Sequence, residues 1–158
     1  MEFIINTHHH SDHIGDNPRV KKAHYCIIIA SAAPGVQDVI EADRFVEDDE
    51  VIWLGEVRLK FIHTPGHTKD GLCIMVDEDA LITGDTLFID DCGRTDLLDG
   101  NPAQMFKTLN EKIKPLPDYL VVYPGHDYGN KPHDTLGEQK KTNKTLLAKN
   151  FKEFSLIP

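Results

Sequence analysis

The stretch Thr7-His8-His9-His10-Ser11-Asp12-His13 sets three imidazoles and a carboxylate in the order His-x-His-x-Asp-His, directly after the apolar run Phe3-Ile4-Ile5. In extended backbone alternate side chains point the same way, so His8 and His10 can share one ion while Asp12 and His13 turn toward a second. A catalytic zinc is satisfied by three protein ligands and water, so the surplus of donors points to two ions. A purification tag is an unbroken histidine run, and Ser11-Asp12 interrupts this one. His9 points away from its neighbours and stands outside the expected ligand set.

The remaining donors fall where strand-like runs end. After the run closing at His63 comes Thr64-Pro65-Gly66-His67-Thr68; after Leu81-Ile82-Thr83 comes Gly84-Asp85-Thr86; after Leu120-Val121-Val122-Tyr123 comes Pro124-Gly125-His126-Asp127-Tyr128. Loops at strand ends are where a rigid sheet can aim side chains at one point. A glycine precedes each donor and permits the tight backbone path of a crowded site. His63 sits on the Val57-Leu59-Phe61 face of its strand and reads as a packed histidine, whereas His24 and His133 lie in polar segments and read as solvated. Donors of nitrogen and oxygen without thiolate suit a catalytic centre better than a structural zinc.

Around these motifs the pattern is mixed α and β. Phe3 to Asn6, Tyr25 to Ala30, Leu72 to Val76, Leu81 to Thr83 and Tyr119 to Tyr123 read as strands, and Val51 to Leu54 with Val57 to His63 as a hairpin about Gly55-Glu56. Helices are expected over Pro34 to Phe45, Pro102 to about Lys112 and about Thr135 to Phe151, the second opened by Asn101-Pro102.

With 158 residues, 40% hydrophobic and 27% charged, the chain reads as a single domain over 1–158. A net charge of -9 disfavours nucleic acid and anionic lipid as partners. No apolar run approaches the roughly 20 residues of a membrane-spanning helix. Met1-Glu2 leads into a strand-like segment rather than a basic, then apolar, leader, so a cytoplasmic protein is expected. Cys26, Cys73 and Cys92 are far apart and odd in number, as reduced thiols would be.

The set His8-x-His10-x-Asp12-His13, His67, Asp85 and His126 resembles that of the metallo-β-lactamase superfamily. The motifs Thr64 to Thr68, Gly84-Asp85-Thr86-Leu87-Phe88, Cys92-Gly93-Arg94-Thr95-Asp96 and Tyr123 to Tyr128 resemble its glyoxalase II (hydroxyacylglutathione hydrolase) branch and that branch's persulfide dioxygenase relatives. The resemblance implies an α/β fold, the αββα sandwich, here apparently without the usual first N-terminal strands. It implies His8, His10 and His67 on one ion, Asp12, His13 and His126 on the other, and Asp85 between them. A sheet short of strands leaves an open edge, so a homodimer through that edge or a poorly soluble monomer is expected.

The implied activity is that of a metal-dependent hydrolase with two divalent ions, zinc first, iron or manganese otherwise. Asp85 and a bridging water would join the ions, and that water as hydroxide would attack a small thioester or ester. Asp12 would orient the water, and Arg94 and Tyr128 are candidates for holding the substrate's carboxylate or thiol-bearing end. One alternative is a mononuclear iron persulfide dioxygenase using His8, His67 and Asp85. Another is a metal-binding remnant of weak activity. Glyoxalase II proteins carry a basic helical C-terminal extension for glutathione, without a counterpart here. The arginine of persulfide dioxygenases is likewise missing from Asn143-Lys144-Thr145-Leu146.

Overall fold

The computed structural model describes residues 2–157 as two sheets packed face to face. The first holds β1 (Phe3–Ile5), β2 (Ile27–Ser31) and β3 (Arg44–Val46), all parallel, in that order. The second holds β4 (Val51–Leu54), β5 (Val57–His63), β6 (Leu72–Val76), β7 (Ala80–Gly84), β8 (Val121–Pro124) and β9 (Asp134–Thr135), again in chain order. The expected hairpin forms, with Val51 opposite Lys60 and Leu54 opposite Val57.

Alternation along the strands sorts the apolar side chains into layers. Leu59, Phe61, Leu72 and Ile74 of the second sheet meet Ile29 and Val46 of the first. The intervening residues Ile62 and Cys73 face the other way, with Leu81 and Val122, onto Met105, Leu109, Leu136 and Leu146 of the C-terminal helices. On the far side of the first sheet, Ala30 packs with Val36, Ile40 and Ile14. Strand β2 is buried on both faces, as a parallel strand between two layers must be. The layer order is therefore αββα.

Helix α1 (Ser11–Ile14) and helix α2 (Asn17–His24) follow the first motif. Helix α2 was not expected; Pro18 is its start signal, and Tyr25 ends it in the left-handed region at φ 53°. That turn delays β2 to Ile27, so the strand expected from Tyr25 begins later. The expected helix over Pro34 to Phe45 does not form. Only a 3₁₀ turn at Val36–Asp38 is present, and Arg44–Val46 is strand β3. Asp43 decides this: its carboxylate accepts the Ile28 N–H while its own N–H donates to the Ile28 carbonyl, tying the segment to the sheet.

Helix α3 (Pro102–Thr108) starts where expected, with the Asn101 side chain accepting the Gln104 N–H, and continues as a π-turn over Leu109–Ile113. The long helix expected from Thr135 to Phe151 is three short ones: α4 (Leu136–Thr142), α5 (Lys144–Leu147) and α6 (Phe151–Phe154). Asn143 breaks it. It is fully buried and extended at ψ 117°, its Oδ1 accepts the Thr145 and Leu146 N–H groups, and its Nδ2 donates to the carbonyls of Phe88 and Asp91. An asparagine that caps a new helix in this way ends the previous one.

Candidate metal centre

Topology brings the donors to one end of the sandwich. Strand β5 is antiparallel to β6, β6 to β7, and β7 is parallel to β8, so β5, β7 and β8 run in the same direction. His67, Asp85 and His126 each follow the C-terminal end of one of these strands. The first motif follows β1 in the other sheet. His10 keeps extended backbone at ψ 144° and N-caps α1, so His8 and His10 lie on one side while the helical turn brings Asp12 and His13 round to the other.

The ring nitrogens of the first group crowd together. His10 Nδ1 lies 3.1 Å from His8 Nε2 and 3.0 Å from His67 Nε2. In the second group His13 Nε2 is 3.2 Å from His126 Nε2, and Asp12 Oδ2 is 3.4 Å from His126 Nε2 and 3.7 Å from His13 Nε2. Asp85 stands between the groups: Oδ2 is 3.6 Å from His67 Nε2 and 3.4 Å from His126 Nε2, and Oδ1 is 3.4 Å from His13 Nε2. A tetrahedral ion with nitrogen ligands about 2.0–2.1 Å away holds those ligands roughly 3.3 Å apart, which is the spacing found here.

The electrostatics fit cations as well. Asp85 is buried, and among the described residues its Oδ1 has no hydrogen-bond partner. A buried carboxylate oxygen left so is costly unless a cation completes it. Burial holds the His8 pKa down to about 2, with His13, His67 and His10 adding to the effect, and burial followed by His67 lowers that of His10. The His8 ring is therefore neutral at ordinary pH, and the His10 ring is biased the same way, toward the lone-pair form that metal ligation demands. The carbonyl of Arg94 accepts from His67 Nδ1–H at 2.7 Å, which fixes the tautomer and leaves Nε2 for the ion.

Two glycines make the approach possible. A Cβ on Gly66, at φ +149°, would stand 2.5 Å from Met105 Cα, so helix α3 could not close on the His67 loop. A Cβ on Gly125 would overlap Asp85 Oδ1 and lie 3.0 Å from His13 Cε1.

Above the donors opens a cleft of about 500 Å³, lined among others by Phe88, Ile89, Arg94, Leu97 and Tyr128. The Tyr128 ring stacks on His126 with centroids 4.9 Å apart and planes at 7°, and Phe88 meets Tyr128 edge-on at 5.3 Å. Arg94 lines the cleft, but its guanidinium is held by Asp96 through two bonds of 2.7 Å. Of the remaining histidines, His24, His63 and His133 lie apart from the cluster, whereas the His9 ring packs against His10 with centroids 5.3 Å apart. His63 Nε2–H donates to the Lys69 carbonyl, and His24 and His133 are exposed. His9 turns to Asp70 and Asp99. Nothing in the sequence marks Asp70, which in Lys69-Asp70-Gly71 looks like an ordinary turn residue, nor Phe88 as a wall of the cleft. All three cysteines are free thiols.

A model of the Metallo-beta-lactamase superfamily matches residues 2–126. The chain belongs to that superfamily. It is 34% identical over 167 aligned residues to the hydroxyacylglutathione hydrolase of Pelagibacter ubique, covering 100% of this chain and 68% of that one. It is 32% identical over 151 residues to the mitochondrial persulfide dioxygenase ETHE1 of Bos taurus, covering 91% and 56%. The crystal structure of ETHE1 from Myxococcus xanthus superposes with a TM-score of 0.86 at 28% identity, over 99% of this chain and 70% of that one. The chain spans about half the length of several curated relatives that it matches.

Proposed function

We propose that this metallo-β-lactamase domain is a metal-dependent hydrolase of a small thioester or ester, of the acyl-glutathione class that its hydroxyacylglutathione hydrolase relatives are named for. The observation that carries this reading is the placement of the buried Asp85, whose Oδ1 has no hydrogen-bond partner among the described residues, between two groups of three donors. His8, His10 and His67 would hold one divalent ion, Asp12, His13 and His126 the other, and Asp85 both. When bound, the ions would supply a water acidic enough to attack near neutral pH and a Lewis acid for the substrate carbonyl. Zinc suits the imidazole and carboxylate set.

The chain's own groups do the rest. Asp12 opens onto the cleft with Oδ2 toward His126, and its carboxylate would orient the water and take its proton. Phe88 and Tyr128 line the site beside His126. The Tyr128 hydroxyl is available to donate to a substrate carboxylate, and Arg94 would do so by exchanging Asp96 for the substrate. The test is hydrolysis of a hydroxyacyl-glutathione thioester by the zinc-loaded chain. Turnover lost in Asp12→Asn supports the reading, and absence of turnover in the parent refutes it.

A second reading is favoured by the 91% of the chain that aligns with the bovine persulfide dioxygenase. There His8, His67 and Asp85 would hold one iron as a two-histidine, one-carboxylate set. Oxygen uptake on glutathione persulfide by the iron-loaded chain, without thioester turnover, would decide for it.

A further inference from the structure

His9 sits in the middle of the first motif yet contributes nothing to the ligand groups. Its ring lies between two carboxylates. Nδ1–H donates to Asp70 Oδ1 at 2.7 Å, and Nε2 is 3.3 Å from Asp99 Oδ2. Asp70 is 1% exposed, and among the described residues His9 is the sole side chain bonded to its carboxylate. A buried carboxylate makes such a bond stronger and its loss more costly than on the surface.

The three residues belong to three separate loops. His9 is flanked by His8 and His10, Asp70 follows His67 by three residues, and Asp99 lies in the segment whose Asn101 N–H donates to the Gly66 carbonyl. A further backbone bond, from the Leu72 N–H to the Thr7 carbonyl, ties the same two loops on the other side of the motif. The His9–Asp70 bond adds a side-chain link from the centre of the motif to the loop bearing His67. It bears on the separation between that loop and the one bearing His8 and His10, whose nitrogens must converge on one point. The second group does not depend on it, because Asp12 and His13 are placed by α1 and His126 by β8.

We propose that His9, clamped by Asp70 and seconded by Asp99, is a positioning residue that selectively supports the His8–His10–His67 ion site. This rests on the metal-centre reading above. An outer partner of a ligand group is worth about 10–100-fold in metal affinity, and the same range is expected here.

The test is zinc binding by the full chain, measured by chelator competition for each of two ions, with circular dichroism as a control of folding. His9→Phe keeps a ring but no donor, and it should weaken one ion about 10–100-fold while the other holds. In a His126→Ala background, which takes one donor from the second group, His9→Phe should weaken the tighter-held ion by the same factor. The geometry also makes an ordered demand. The asparagine amide nitrogen occupies the position of histidine Nδ1, the atom facing Asp70, and that of glutamine approaches Nε2. His9→Asn should therefore restore the affinity and His9→Gln should not, which mere filling of space would not produce. Asp70→Asn should weaken the same ion as His9→Phe.

Unchanged affinities in His9→Phe, equal weakening of both ions, or equal behaviour of the Asn and Gln variants would each overturn the clamp. A parent chain that binds no zinc would overturn the metal centre and the clamp with it. A parent that binds two ions beside an unaffected His9→Phe would overturn the clamp alone.

Discussion

At the scale of the residue, the site depends on small groups placed where nothing larger fits. Gly125 is the sharpest case, since a Cβ there would push on Asp85 Oδ1 and on the His13 ring. Gly125→Ala should leave the fold intact but weaken zinc binding by about 10–100-fold, read by chelator competition. Parent-like affinity would show that Asp85 is not held where the geometry puts it. The thiols give a pH-dependent test. Burial pushes the Cys73 thiol up to about 11, and burial with Asp91 beside it pushes Cys92 up to about 12. Both are protonated at pH 8, so iodoacetamide should leave both unlabelled in the folded chain, checked by peptide mass. The sign for stability follows. The unfolded thiols ionise near 9, before the folded ones, so the thiols' contribution to stability against urea should be constant below pH 9 and fall from there toward pH 11 and 12.

At the scale of the element, Asn143 joins the C-terminal helices to the loop that walls the cleft. Asn143→Ala leaves the carbonyls of Phe88 and Asp91 and the Thr145 N–H without their partner. A loss of at least about 2 kcal/mol in urea unfolding is expected, and a change below measurement error would contradict this account of the break between α4 and α5. The same residue shows what sequence could and could not tell. Strands were legible because burial on one or both faces writes itself into alternation, as in Val57-Leu59-Phe61, or into a run such as Ile27-Ile28-Ile29. Helix lengths were not. Asp43 and Asn143 look like ordinary polar residues, and what they decide depends on Ile28 and Phe88, far away in the chain. The ligand candidates were legible because histidine and aspartate recur at strand ends with a fixed local motif. The clamp on His9 was not, because the turn-like Asp70 carries no mark of its burial.

At the scale of the whole molecule, the two sheets differ in completeness, three strands against six. Strand β1 pairs with β2 and β2 with β3 among the described residues. No helix among the described residues is long and apolar enough to cross a membrane. The parallel run of β5, β7 and β8 is what gathers His67, Asp85 and His126 at one end, so the fold and the site are a single consequence of the strand directions.

On the proposed reading, His8, His10, Asp12, His13, His67, Asp85 and His126 hold two cations, with Asp85 common to both. Elemental analysis of the zinc-loaded, desalted chain tests it most directly, with Asp85→Ala and His63→Ala prepared in parallel. Two ions per chain are expected in the parent and in His63→Ala, and one or none in Asp85→Ala. Equal metal content in all three proteins would contradict it.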